Sequence, residues 1–111
     1  SRNRIMSYRF MRVLVLFDLP TKTTKDRREY TAFRKFLIKS GFIMMQESVY
    51  SKIAVNQNAA AAVCESLKKK KPPAGIVEVL IITEKQFSKM EIIVGERKSD
   101  IIDTDERFLI I

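Results

Sequence analysis

One carboxylate stands at a position suited to chemistry in a chain that is otherwise strongly basic. Asp18 closes the apolar run of residues 13–17, and Leu19 and Pro20 follow at once. The length of the run, its β-branched residues and the proline predict a buried strand with Asp18 at its C-terminal end. An exposed acid there could hold a divalent cation that faces a polyanion. It could equally open a turn by bonding nearby backbone N–H groups, and the local pattern leaves both interpretations open.

The residue types that are missing narrow the chemistry. The chain has no histidine and a single cysteine, Cys64, which excludes imidazole general bases, Cys-His pairs and zinc sites built from these ligands. Gly41, Gly75 and Gly95 stand too far apart for a glycine-rich phosphate-binding motif. Catalysis would therefore need carboxylates, hydroxyls, Lys or Arg side chains, or a hard ion such as Mg²⁺ or Mn²⁺ held by oxygen ligands.

The basic residues indicate a polyanionic partner for a chain whose formal charge is +8. On the predicted first helix we expect five of them to contact nucleic acid: Arg27, Arg28, Arg34, Lys35 and Lys39. Arg28, Lys35 and Lys39 recur on one side of that helix and form what we call the basic ridge. The ridge is either a solvated helix face or a set of phosphate contacts along duplex DNA, which need repeated positive charge and no base-specific geometry. The lysines at 68–71 are open to the same two interpretations.

Length and composition predict one folded domain. The 111 residues include only three glycines and three prolines, an ordinary globular composition. We expect residues 6–111 to form the domain, and residues 1–5 to be an expression scar or an N-terminal extension. No apolar stretch approaches the ~20 residues that span a bilayer, and the lone Cys64 cannot form an intrachain disulfide. We therefore expect a cytoplasmic protein with no membrane partner and with Cys64 in its core.

Capping signals and periodicity predict a helix after the first strand. Thr23 and Asp26 form an approximate capping box, and Gly41 ends the helix after Ser40. An apolar stripe within an arc of roughly 120° is made by Tyr30, Phe33, Phe36 and Leu37. This stripe predicts packing of the helix on a sheet.

The middle of the chain predicts two strands and a second helix. Residues 42–55 could form one long kinked strand or two strands joined by a tight turn at Gln46 and Glu47, and we favour two. If this pair neighbours the first strand, Ser48 and Tyr50 could bring hydroxyls to Asp18, and the alternative for both is strand packing. Asn56 caps a helix that extends to Lys71, where two prolines prevent its continuation.

Further strands are predicted at residues 76–82, 92–94 and 108–111, with a short helix capped by Thr83 after the first of them. The order β-α-β-β-α-β is the ferredoxin-like arrangement of an α+β protein, here with extra C-terminal strands. An apolar strand at the chain end would be an exposed edge, so we expect a homodimer in which it pairs with a second copy. The predicted dimer interface is Phe108, Leu109, Ile110 and Ile111. Two copies of Asp18 brought together in this way could share one ion.

These features together resemble the CRISPR-associated Cas-two family. The resemblance covers residues 7–111 and rests on residues 15–19, the pair Arg27 and Arg28, and residues 33–37, 41–42, 46–50 and 83–87. Residues 95–97 and 105–107 look closest to members from type II systems. The chain carries Phe17 where tyrosine usually precedes the aspartate, which removes a hydroxyl from the site.

The resemblance implies a homodimer that exchanges its C-terminal strand with its partner. It implies an adaptor in spacer acquisition, which binds duplex prespacer DNA and bridges two copies of the Cas-one integrase. Family members are also described as metal-dependent nucleases acting on single-stranded RNA or double-stranded DNA. For these, the resemblance makes Asp18 the catalytic residue and the Mg²⁺ ligand, contributed by both protomers.

Two classes of function therefore remain. The first is a non-catalytic adaptor, favoured by the basic composition and the C-terminal strand. The alternative is a Mg²⁺-dependent endonuclease, in which the ion activates water and stabilises the leaving oxygen, so the sequence leaves enzymatic activity open. A ferredoxin-like RNA-binding module is disfavoured, because no strand carries an aromatic-basic RNP-type motif. Aromatic residues are also not interleaved with the basic ones, which favours duplex over single-strand binding.

Overall fold

Four antiparallel strands form one sheet in the computed structural model, which describes residues 10–96. The strands are β1 (Met11–Asp18), β2 (Ile43–Gln46), β3 (Val49–Ala54) and β4 (Ile76–Thr83). The helices are α1 (Thr24–Lys39), α2 (Gln57–Lys69) and the short α3 (Glu84–Ser88). The chain order is thus β-α-β-β-α-β followed by α3, and the strand order is β2-β3-β1-β4. This confirms the predicted α+β, ferredoxin-like fold.

The first strand is central because its residues are apolar on both faces. β1 pairs with β3 on one side and with β4 on the other, and its pairing with β4 continues to the last residue, Asp18, opposite Ile76. Val13 and Val15 are fully buried and Phe17 nearly so. These residues face the helices, so the alternating residues of β1 face the other side of the sheet.

Helix α1 begins and ends where its capping residues predict. The Thr23 side chain accepts a hydrogen bond from the Asp26 N–H at 2.9 Å, and the Asp26 carboxylate accepts one from the Thr23 N–H at 3.2 Å. At the other end Ser40 is the C-cap, and Gly41 follows with a φ of +96°. Phe33 and Leu37 of the apolar stripe are buried, while Tyr30 and Phe36 pack at the edge of the core.

Strands β2 and β3 and helix α2 also form largely where the sequence predicts them. Strands β2 and β3 form a hairpin with a register shift near its turn, which confirms two strands rather than one. Asn56 caps α2 by accepting a hydrogen bond from the Ala59 N–H at 2.8 Å. Helix α2 ends at Lys69, two residues before the predicted Lys71, because a residue that precedes proline is driven out of the helical region. Cys64 is only partly buried, so its predicted place in the core is wrong.

Within residues 10–96, α1 and α2 cover one face of the sheet, and the other face meets only the short α3, at one end, and is otherwise free of helix. Beyond α3, residues 92–94 form no strand within residues 10–96, against the expectation from their composition. Ile93 and Val94 are 85% and 89% exposed, and no strand among residues 10–96 pairs with this segment. The predicted interface of Phe108, Leu109, Ile110 and Ile111, and the segment of residues 1–5, lie outside the described residues. No helix within residues 10–96 is long and apolar enough to cross a membrane.

Candidate functional site

Asp18 stands exposed at the end of the central strand, with its side chain on the face of the sheet opposite α1 and α2. The residue before it, Phe17, is buried on the helix side. Its N–H donates to the Ser48 carbonyl at 3.1 Å. The ring of Phe17 contacts those of Tyr30, Phe33 and Tyr50, with centroids 5.9, 5.3 and 5.7 Å away. Packing of Phe17 therefore anchors the strand end that presents Asp18, and a hydroxyl on this ring would be in the core.

Of the two hydroxyls considered beside Asp18, that of Tyr50 lies on the opposite face of the sheet. Tyr50 faces the helices and is fully buried, with its ring stacked on Phe17. Its hydroxyl has no hydrogen-bond partner among the described residues. Ser48 accepts a hydrogen bond from the Phe17 N–H through its backbone carbonyl. Tyr50 therefore fits the packing alternative that the sequence left open, and the Ser48 backbone takes part in strand pairing.

The acid nearest to Asp18 in the sheet register is one that sequence reasoning missed. Glu78 pairs with Leu16, two residues along β1 from the pair of Asp18 and Ile76. Both acids are exposed on the helix-free side. Diagonal neighbours of this kind have Cα atoms about 7–8 Å apart. Only the register of β1 against β4 brings them together, so the sequence carries no signal for the pair.

The donor set around Asp18 suits an open magnesium site and not a closed cage. Among residues 10–96 no group of three acids, cysteines or histidines could hold an ion. Mg²⁺ usually keeps several waters and takes one or two carboxylates together with substrate phosphates. Asp18 could supply one such carboxylate, because its side chain is exposed at a strand end and leaves room for waters and phosphates. A second copy of Asp18, brought by a partner, would add a further carboxylate.

A loop anchor holds the segment that follows Asp18. The Arg27 Nη1 atom donates to the carbonyl oxygens of Thr21 and Lys22, at 3.1 and 3.0 Å. This arginine thus fastens the connection between β1 and α1, in addition to any contact with nucleic acid. Its neighbour Arg28 is exposed, and no contact ties it to this loop.

The five basic residues predicted to contact nucleic acid are all exposed on α1: Arg27, Arg28, Arg34, Lys35 and Lys39. The basic ridge runs for about 16 Å at 1.5 Å per residue, the length of about five phosphates along one DNA strand. Helix α1 covers one face of the sheet, whereas the Asp18 side chain lies on the other. The structure therefore separates the ridge from the carboxylate.

The lysines at the end of α2 are exposed, but one of them has a local partner. The Lys68 Nζ atom lies 2.8 Å from a carboxylate oxygen of Glu65. This hydrogen bond and charge lower the pKa of Glu65 and raise the pKa of Lys68. Part of the positive charge at residues 68–71 is therefore offset by Glu65.

The helix-free face is strongly apolar. We use this name for the exposed apolar residues that it carries on the four strands: Leu16, Ile43, Ile53, Ile76 and Leu80. Their exposed fractions range from 38% to 58%. Leu14 and Ser51, at the centre of the same face, are already buried within one chain. Exposed apolar surface that is continuous across a sheet marks an interaction site.

A polar cluster closes one end of the helix-free face. The Arg12 guanidinium donates to both carboxylate oxygens of Glu84, with Nε–Oε1 at 2.8 Å. It also lies 4.1 Å from the centroid of the Phe87 ring and 3.4 Å from the Ser51 hydroxyl. The cluster fastens α3 to β1. Because Arg12 and Glu84 are 72 residues apart, no local pattern predicts it.

Fold and site together define a class: a small ferredoxin-like protein with an exposed acid ending β1, a basic first helix and an open apolar sheet face. A solved structure described as "Crystal structure of cas2" shares this fold, with a TM-score of 0.55 and 21% identity. It covers 81% of this chain, and 92% of its own length is matched.

Sequence comparison identifies the family. The profile described as "CRISPR associated protein Cas2" matches residues 11–90. A protein of Treponema denticola named CRISPR-associated endoribonuclease Cas2 is 54% identical, over 91% of this chain and 100% of its own length. A Streptococcus mutans protein of the same name is 44% identical, over 89% and 91%. The chain belongs to the Cas2 family, which confirms the predicted resemblance.

Proposed function

We propose that this protein is a homodimeric adaptor of CRISPR adaptation, which binds duplex prespacer DNA and bridges the Cas-one integrase during spacer integration in the cytoplasm. One observation carries the proposal: the sheet separates two surfaces of opposite character. Its helix-free face is apolar, and the helix layer on its other side presents the basic ridge. A dimer formed through the first surface leaves two copies of the second exposed to DNA.

The helix-free face supports a symmetric dimer. Apolar side chains that remain about half exposed in one chain become buried when two such faces meet, and an isologous contact counts each of them twice. Strand β4 is an edge strand, and residues 92–94 are apolar and unpaired by any strand of the described chain. Exchange of this segment onto the partner's β4 would cover that edge.

The basic ridge supports binding to the DNA backbone. Arg28, Lys35 and Lys39 repeat positive charge over about 16 Å, without the aromatic platform that single strands require. Contacts of this kind position a duplex but read no sequence. An adaptor that must accept prespacers of any sequence needs this type of binding.

Salt dependence of DNA binding tests the ridge. With Arg28→Gln and Lys35→Gln combined, a dimer loses four phosphate contacts, so we expect the slope of log K against log salt to fall by about 3.6. Lys89→Gln, which removes a charge outside α1, is the control and should change the slope by less than one contact does. Fluorescence anisotropy with a short duplex measures both. Unchanged slopes after the α1 substitutions would remove the ridge from the proposal.

A second candidate is a Mg²⁺-dependent endonuclease acting on single-stranded RNA or double-stranded DNA. Its support is the exposed carboxylate of Asp18 and the name endoribonuclease borne by the relatives. Asp18 of both protomers would hold the ion, and bound Mg²⁺ supplies a more acidic water and charge stabilisation at the phosphate. The chain offers Asp18 as ligand, with Glu78 as its nearest acid in the sheet register.

Integration of a short duplex by the cognate integrase separates the two candidates. We expect Asp18→Ala to support integration as well as the wild type if the protein is an adaptor. Glu91→Gln, another exposed acid, controls for loss of one negative charge, and both variants are first shown to be dimers. Failure of Asp18→Ala alone, with dimer and DNA binding retained, would make Asp18 part of the mechanism and favour the second candidate.

A further inference from the structure

A close backbone contact holds the end of β1 against the loop that precedes β4. Gly75 has a φ of +94°, and a Cβ built on it would lie 2.6 Å from the backbone oxygen of Asp18. The same Cβ would lie 2.8 Å from Leu19 Cδ2 and 3.0 Å from Leu19 Cα. Two of the three atoms belong to backbone and cannot rotate away as a flexible side chain would. Any residue other than glycine must therefore move the two segments apart.

The contact involves Asp18, the candidate metal ligand. Gly75 immediately precedes Ile76, the register partner of Asp18. On the helix side of this contact a cleft of about 260 Å³ separates the loop from α1, and Pro72, Pro73 and Tyr30 are among its lining residues. The loop thus contacts the end of β1 at Gly75 and leaves this space beside it.

We propose that Gly75 is a positioning residue for Asp18. Its missing side chain lets the loop pack directly on the Asp18 carbonyl, which sets where β1 ends and therefore where the carboxylate is held. In a homodimer both carboxylates would be placed by the same contact. The use of Asp18 as a metal ligand rests on the second candidate function above. The placement of Asp18 by Gly75 does not depend on that function.

A matched pair of alanine substitutions tests the proposal. Gly75→Ala introduces a positive-φ strain and a clash with backbone atoms. Gly41→Ala introduces the same strain, since its φ is +96°, but its Cβ meets only the flexible end of Lys52, at 3.3 Å. Amide resonances of Asp18 and Leu19 in the full-length dimer report the position of the strand end, and Mn²⁺ added alone reports the carboxylate through paramagnetic broadening.

We expect Gly75→Ala to shift the amides of Asp18 and Leu19 and Gly41→Ala to leave them in place. We also expect Gly75→Ala to weaken Mn²⁺ binding about 10- to 100-fold, the usual effect of losing support for a metal ligand, with duplex binding unchanged. Resonances of Asp18 that stay in place in Gly75→Ala would overturn the proposal. So would shifted resonances combined with wild-type Mn²⁺ affinity, because the contact would then be merely structural.

Failure of the metal-dependent function and failure of the Gly75 proposal can be told apart. If the wild type itself shows no Mn²⁺ broadening at Asp18, the metal-dependent function fails, and the amide resonances alone decide the role of Gly75. If Gly75→Ala does not fold, a variant with one glycine inserted between Ala74 and Gly75 loosens the loop without adding a side chain. Faster hydrogen exchange at Asp18 and Leu19 in that variant supports the proposal, and unchanged exchange overturns it.

Discussion

Leu80 offers a direct test of the helix-free face as a dimer interface. This side chain lies on β4 and is 52% exposed in one chain. Complete burial of a leucine side chain contributes about 1.5–3 kcal/mol, so the half that is still exposed leaves about 0.8–1.5 kcal/mol for dimerisation in each protomer. A symmetric interface counts it twice, and Leu80→Ala should cost about 1.5–3 kcal/mol per dimer. That corresponds to a dimer Kd about 10- to 150-fold weaker.

The control is a residue of similar exposure on the other side of the sheet. Ile38 is 48% exposed and lies on α1, where the proposed dimer makes no contact. Sedimentation equilibrium over a range of protein concentrations gives the dimer Kd of the wild type, Leu80→Ala and Ile38→Ala. We expect only Leu80→Ala to weaken association. Equal Kd values for the two variants, or a wild type that stays monomeric at micromolar concentration, would refute the assignment of this face.

Three further experiments test contacts that the structure defines. A double-mutant cycle of Arg12→Met and Glu84→Gln, measured by urea unfolding, should give a coupling free energy of about 1.5–3 kcal/mol, because the bonds are charged and mostly buried. A coupling below about 0.5 kcal/mol would class the pair with exposed salt bridges. Arg27→Ala and Arg28→Ala should weaken duplex binding alike, since each removes one charge, but only Arg27→Ala should speed hydrogen exchange in the loop after Asp18. Equal exchange in both would deny the loop-anchoring role. Thr23→Ala should lower the free energy of unfolding by about 1 kcal/mol through loss of the α1 cap, and an unchanged urea midpoint would contradict this.

Local signals explain why most of the fold could be predicted from the sequence. The capping box of Thr23, the cap of Asn56 and the prolines after α2 act through neighbours a few residues away, so each can be identified without tertiary contacts. The β-branched run before Asp18 predicts a central strand for the same reason. The family resemblance rests on these ordered local motifs, and the comparisons confirm it.

Partial burial is harder to infer than the existence of an element. Cys64 was expected in the core because free cysteines are often buried, yet the position of α2 on the sheet leaves it partly exposed. Residues 92–94 have the composition of a strand, but a strand also needs a neighbouring strand in register. Composition does not determine that pairing.

What the sequence determined by itself is the order of elements, the position of Asp18 at a strand end and the exposure of the basic ridge. Only the tertiary structure decided which groups meet. It buried the Tyr50 hydroxyl away from Asp18, placed Glu78 beside Asp18, joined Arg12 to Glu84 and packed Gly75 against the strand end. The physical reason is that strand register and sheet faces arise from long-range pairing, which brings together residues that no local pattern relates.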